Sequence, residues 1–356
     1  MHEAMLYHKL TPEDVRCDLC WHRCRLKPGR RGRCGVRGNI GGTLYTFVFD
    51  RVASLTVEPI EKHAFFHFRP GTYALALATV GCNWRCRYCA SHALSQMPKG
   101  PRGRIIGRRL PPEEIVKTAL THRCHNLVYT YTEPTVFFEL MLETARLGSA
   151  HGLRNLMVTN GYLTPAALRM LGPYLDAANV DIKGFDERRH RWMCGARRRP
   201  VFECLRLLKD MGVWVEVTTP IIPGHNDSDE ELRAIAEFLA SLSYSIPWHV
   251  SAFFPAYKMK EHLPAALEAV QRAYMIGRSV GLHYVYCQDL PGSACTSTFC
   301  PHCRTVLIER AGFTVLANRI AHGRCPQCGR LADGVEMNPV PHSLHHVVAS
   351  RAEQPT

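Results

Sequence analysis

The 356-residue chain has no run of eighteen or more apolar residues, so no stretch of it is expected to span a membrane. Its N-terminal stretch, MHEAMLYHKLTPEDV, lacks the basic, apolar and small-residue segments of a signal peptide, and a cytoplasmic location is the expectation. Acidic residues are in short supply, 31 against 44 basic ones, for a net charge of +13 with arginine concentrations at 30–37, 102–109 and 188–199. Such a balance suits an anionic partner, nucleic acid included, and suits a solvated basic surface equally well. Aromatic residues do not alternate with these arginines, which leaves no stacking platform for a single strand. Nor does any internal repeat stand out. Hydrophobic residues, at 46%, are as abundant as in any chain that buries a sizeable core.

Cysteine is plentiful. Eleven of the sixteen fall into three tight groups, Cys17/Cys20/Cys24/Cys34, Cys82/Cys86/Cys89 and Cys300/Cys303/Cys325/Cys328. In a reducing compartment such grouping is the spacing of metal ligands rather than of a disulfide framework. The last group forms two C-x-x-C knuckles, stiffened by Pro301 and Pro326 and turned at Gly329, in the pattern of a four-thiolate zinc ribbon. For the first group zinc is expected as a staple, because a short N-terminal segment cannot build its own core; a second iron–sulfur cluster is the alternative. His22, inside that loop, is expected to face solvent. Cys124, Cys194, Cys204, Cys287 and Cys295 are scattered and read as buried small hydrophobes, with Cys295 near enough to the ribbon to keep in view.

The middle group, in GCNWRCRYC (81–89), stops at three ligands where a closed metal site takes four. Around it, short apolar runs alternate with helical segments. The runs are 74–80, 126–132, 154–160, 177–183, 213–219, 248–254 and 283–288. Between them PPEEIVKTAL, TPAALRML and NDSDEELRAIAEFLASL carry helix-start signals, Thr164 as N-cap among them. Seven βα units imply an α/β fold with a parallel sheet, open or closed into a full or partial barrel. The expected divisions are an N-terminal cysteine-rich module and lead-in at 1–73, the core at 74–290, a zinc-ribbon-like segment at 291–338 and a disordered tail at 339–356. Functional groups of such sheets collect at the C-terminal strand ends. Those ends here are GCNWRCRYC, then Thr132-Glu133-Pro134, Thr159-Asn160-Gly161, Asp181-Ile182-Lys183-Gly184 and PIIPGHND, all expected on one face.

A [4Fe–4S] cube held by three thiolates keeps one iron open to an exchangeable ligand. The CxxxCxxC spacing of Cys82, Cys86 and Cys89 resembles the signature of the radical S-adenosylmethionine (SAM) superfamily. The resemblance implies a partial (β/α) barrel, a [4Fe–4S] cluster on these three cysteines, and SAM chelating the fourth iron by its amino and carboxylate groups. Reductive cleavage would then yield a 5′-deoxyadenosyl radical. It further implies Tyr88 against the adenine, Glu133 on the SAM ammonium, and Asn160, Asp181 and Lys183 around SAM. For Lys183, pairing with Asp181 is an equal alternative.

Residues 74–290 resemble the pyruvate formate-lyase activating enzymes. CDLCWHRCRLKPGRRGRCGVRGN, VEPIEKHAFFHFRPG and CPHCRTVLIERAGFTVLANRIAHGRCPQCG are similar to the radical SAM component of the AmmeMemoRadiSam system. Partners implied are a low-potential electron donor and the companion proteins of that system. The chain departs from the activases at Val158, where they carry Asp for a monovalent cation, at Thr130-Tyr131-Thr132 in place of a residue and two glycines, and at Tyr257 in place of a histidine. These departures put the cation and a glycyl-radical partner in doubt. The expected function is a radical SAM enzyme acting on an unidentified substrate, by hydrogen abstraction from a partner protein or a small molecule. The alternative is a nonenzymatic zinc protein that binds RNA, which demands closed zinc at Cys82, Cys86 and Cys89.

Overall fold

The computed structural model describes residues 1–100, 103–288 and 294–340, so the His342, His345 and His346 tail lies outside the described residues. Seven strands, Tyr73–Ala78, Asn126–Tyr129, Arg154–Thr159, Ala177–Asp181, Trp214–Ile221, Trp248–Ala252 and Val285–Cys287, pair in parallel in chain order. An eighth, Ser54–Pro59, pairs antiparallel on the free edge of the first. Sequence reading missed it for a physical reason: Val57 is exposed and SLTVEP shows no apolar run, because one edge of that strand has no neighbour. No pairing joins the last strand to the first among the described residues, so the sheet forms a partial barrel.

The parallel strands are buried on both faces, which is why they read as continuous apolar runs. In Tyr73–Ala78, Leu75 and Leu77 meet the helix layer, while Ala74 and Ala76 face the barrel interior with Val128, Leu156 and Ala177. Those inner side chains are small because Ile60, Phe65 and Phe68, from the segment before the first parallel strand, fill the space. Helices Pro112–Thr121, Phe138–Ala150, Pro165–Leu171, Arg199–Asp210, Asp229–Leu242 and Leu267–Val280 lie in the connections between successive strands. Thr164 Oγ1 accepts the Ala167 N–H at 3.4 Å, and Ser228 caps the helix whose first turn carries Asp229, Glu230 and Glu231. None of the described helices is long and apolar enough to cross a membrane.

One end of the barrel is plugged. Buried Glu216 accepts the backbone N–H of Phe66 (3.0 Å) and His67 (2.8 Å), the Trp214 indole N–H (3.1 Å) and His249 Nε2 (2.7 Å). Beneath this plug lies the C-terminal segment with strands Thr298–Phe299, Val306–Ala311 and Thr314–Asn318. Arg310 Nη2 donates to Phe66 O at 2.8 Å, His67 Nδ1 donates to Asp333 O at 2.7 Å, and Tyr284 OH donates to Asp333 Oδ2 at 2.8 Å. Glu336 also pairs with Arg154, which opens its strand, so this segment meets the N-terminal strand ends.

The first forty residues dock at the opposite, C-terminal ends. The Trp21 N–H donates to Tyr162 O (3.1 Å), the Thr164 N–H donates to Leu19 O (3.1 Å), and buried Arg37 pairs with buried Glu139 at 3.0 Å. Gly81 makes the approach possible. Its φ is +103°, and a Cβ there would lie 2.7 Å from Val36 Cγ1 and 3.2 Å from Cys34 O.

Candidate active site

The C-terminal strand ends surround one cleft of about 350 Å³. Its wall includes Cys82, Cys86, Tyr88 and Cys89 after the first parallel strand, Glu133 after the second, Asn160 after the third, and Asp181 and Lys183 after the fourth. Every SAM-pocket residue named from the sequence is therefore brought to one cavity. Thr130 and Thr159, named with their strand ends, line it too, whereas sequence reading missed Thr218 and Ser251. They sit within or just after strands, where a small polar residue in an apolar run carries no distinct signal.

Glu133 is the electrostatic centre. It is 1% exposed and ends an extended segment just before the turn Pro134–Phe137. Oε1 accepts the Thr135 N–H (3.1 Å) and the Thr159 hydroxyl (2.7 Å), while Oε2 accepts the Asn160 N–H (2.9 Å). Among the described residues no cation forms an ion pair with it. Burial raises its carboxyl above the ordinary range, opposed by those donors. A carboxylate so placed is short of one positive partner. Lys183 does not supply it, because its ammonium pairs with Asp181 Oδ2 at 2.9 Å and stands 5.8 Å over the Tyr88 ring.

The three thiols are not gathered as closely as a single zinc requires. Two ligands of one zinc, each at ~2.3 Å, cannot lie farther apart than ~4.6 Å. Among the described residues, only Cys300, Cys303, Cys325 and Cys328 bring three or more potential ligand atoms all within 4.8 Å of one another. Cys82, Cys86 and Cys89 do not all lie within 4.8 Å of one another. Burial pushes the Cys82 and Cys89 thiols up, and Cys86 is raised first by a hydrogen bond with Cys194 and then by burial. Loading metal must therefore displace protons from them. Cys194, expected to be a small hydrophobe, is fully buried but lies against this site. Lys99, also missed, donates to Trp84 O, and its charge acts on Cys82, Cys34 and Cys86.

In the ribbon, Cys300 Sγ and Cys328 Sγ are 3.6 Å apart, as are Cys303 Sγ and Cys325 Sγ, so one ion of zinc size fits among them. Cys295 is not part of this set; Cys287 has it as a hydrogen-bond partner. His22 does not face solvent freely: it is half-buried beside Tyr162 (ring centroids 4.8 Å), with Nε2 covered and unpartnered among the described residues.

Sequence comparison places the radical SAM superfamily over residues 77–239, which run from the first parallel strand into the helix Asp229–Leu242. The uncharacterized protein MJ0808 of Methanocaldococcus jannaschii is 40% identical over 336 residues, covering 94% of this chain and 99% of that one. The pyruvate formate-lyase-activating enzyme of Clostridium pasteurianum is 23% identical over 168 residues, covering 46% of this chain and 67% of that one. A domain of the pyruvate-formate lyase-activating enzyme of Bacteroides vulgatus aligns in structure with a TM-score of 0.40 at 18% identity, over 45% of this chain and 96% of that domain. A cysteine triplet opening a cleft at parallel strand ends, inside the matched residues, agrees with the sequence matches: the chain belongs to the radical SAM superfamily and is related to the pyruvate formate-lyase activating enzymes.

Proposed function

We propose that Cys82, Cys86 and Cys89 hold a [4Fe–4S] cluster, that SAM binds in the adjoining cleft, and that the enzyme abstracts a hydrogen atom from a substrate presented there. The family implies both cofactors. When bound and reduced, the cluster supplies the electron that cleaves the S–C5′ bond of SAM. The observation that carries the reading is the coincidence, in one cleft, of three thiols not gathered for a single ion with a buried carboxylate that forms no ion pair among the described residues.

In this reading Glu133 receives the SAM ammonium, and Thr159 with the Asn160 backbone N–H holds the carboxylate in place. Asn160 Nδ2, 2.7 Å from Asn83 Oδ1, ties the third strand end to the cluster loop. Tyr88 offers its ring to the adenine, and Phe253 packs edge-on behind it at 6.2 Å. Asp181 fixes Lys183 close to the SAM carboxylate. Zinc in the ribbon would pin the segment that braces the plugged end of the barrel.

The substrate class we favour is a partner protein, because the relatives are named as activating enzymes for pyruvate formate-lyase, isethionate sulfite-lyase and choline trimethylamine-lyase. The companion AmmeMemoRadiSam proteins and a low-potential electron donor are the partners to test. The RNA-binding zinc alternative fits less well, since the three cleft thiols do not all lie within 4.8 Å of one another.

The test is formation of 5′-deoxyadenosine by anaerobically reconstituted protein given dithionite and SAM, measured by mass spectrometry against Cys86→Ala. The expected result is product from the natural chain and none from the variant. Zinc in place of iron at the triplet, or equal product from both proteins, would overturn the proposal.

A further inference from the structure

We propose that Cys17, Cys20, Cys24 and Cys34 bind a second [4Fe–4S] cluster, placed to relay electrons to the Cys82/Cys86/Cys89 site. The chain carries two four-thiol sets with opposite geometry. The ribbon thiols all lie within 4.8 Å of one another, whereas no three of the N-terminal thiols do. A single zinc cannot span ligands farther apart than ~4.6 Å. What lies among the N-terminal thiols instead is a cavity lined by all four together with Leu26, Gly32, Arg37 and Asn83.

A further observation supports an anionic group in this cavity. Arg37 is only 2% exposed, and while its Nη2 is engaged by Glu139, its Nε and Nη1 have no hydrogen-bond partner among the described residues. Unpaired N–H groups of a buried guanidinium are costly. Cluster sulfurs ringed by thiolates are acceptors of the right charge for them.

Position gives the site its role. Asn83 lines this cavity, while its neighbours Cys82 and Trp84 line the cleft. The loop that carries Cys82 thus borders both cavities. An external low-potential one-electron donor reduces the N-terminal cluster, and the same electron passes to the cleft site; no bond or proton is exchanged. This relay rests on the proposed function, whereas the binding of the second cluster does not.

The whole chain, reconstituted anaerobically, should hold about eight irons and one zinc. A Cys82→Ala/Cys86→Ala/Cys89→Ala variant should keep about four irons, with a dithionite-reduced paramagnetic signal insensitive to SAM. Two zincs in the natural chain, or zinc alone in that variant, would overturn the site. Should the triple variant not fold, Cys24→Ser decides: iron falls to about four per chain, and retention of about eight refutes the cluster. Failure of the SAM reading alone would show as an iron-loaded triple variant beside a natural chain whose signal ignores SAM. With reduced ferredoxin as donor, Cys24→Ser should slow deoxyadenosine formation at least tenfold; an unchanged rate removes the relay.

Discussion

Replacing Glu133 by Gln tests the electrostatic logic of the cleft. The side chain keeps its shape, but loses the charge offered to the SAM ammonium. One carboxylate oxygen also becomes an NH₂ group. If Oε1 is kept toward Thr135 and Thr159, that NH₂ faces the Asn160 N–H now held at 2.9 Å, donor against donor. A hydrogen bond to a charged group contributes ~1.5–3 kcal/mol, and each ~1.4 kcal/mol is tenfold in affinity. SAM should therefore bind the variant between about ten and about a hundred times more weakly. The assay is calorimetric titration of oxidised, cluster-loaded protein with SAM, which separates binding from turnover.

A pH dependence follows from the same group. Burial raises the Glu133 carboxyl, so acidification protonates it earlier than an exposed glutamate, and the ammonium then loses its partner. SAM affinity of the natural protein should fall as pH drops toward that raised range, while Glu133→Gln stays flat. Equal affinities for both proteins, with the same pH profile, would refute the assignment.

His67, beneath the plug, is held down to about 4 by burial, from 6.5, with Arg310 and His249 adding to the effect against Glu216 and the Asp333 carbonyl. The folded chain thus keeps it neutral while the unfolded chain protonates near 6.5, so stability is full above that pH and declines as pH falls toward 4. Between pH 8 and 5 the loss should be ~2 kcal/mol by denaturant titration, and His67→Gln should remove that part of the slope. Cys300→Ser should release one zinc per chain and open residues 294–340 to proteolysis while iron is retained; an unchanged zinc content would contradict a four-thiolate ion. Gly81→Ala should cost ~1–3 kcal/mol through its positive φ and the 2.7 Å approach to Val36, and should lower iron retention. Gly100→Ala, with its nearest neighbour at 3.5 Å, is the control expected to behave as the natural protein in the same melt.

The sequence alone determined the seven parallel strands, the helices between them and the gathering of functional residues at the strand ends. Strands buried on both faces must be apolar throughout, helix starts need oxygen caps, and metal ligands must be spaced to reach one centre, so each is written in local composition. Thr164 and Ser228 cap where their positions imply, and Glu133, Asn160, Asp181 and Lys183 reach the same cleft as the cysteine triplet. Tertiary structure alone decided the rest. That Ser54–Pro59 joins the sheet depends on a free edge elsewhere in the chain. That Phe65 and Phe68 fill the barrel, that Cys194 lies against Cys86, and that Glu133 forms no ion pair among the described residues are matters of distance between segments far apart in sequence. The two four-cysteine sets already differ as spacings, C-x-x-C-x3-C followed by Cys34 against two C-x-x-C knuckles. Only the fold shows that, among the described residues, the ribbon sulfurs gather within 4.8 Å of one another and the N-terminal ones do not.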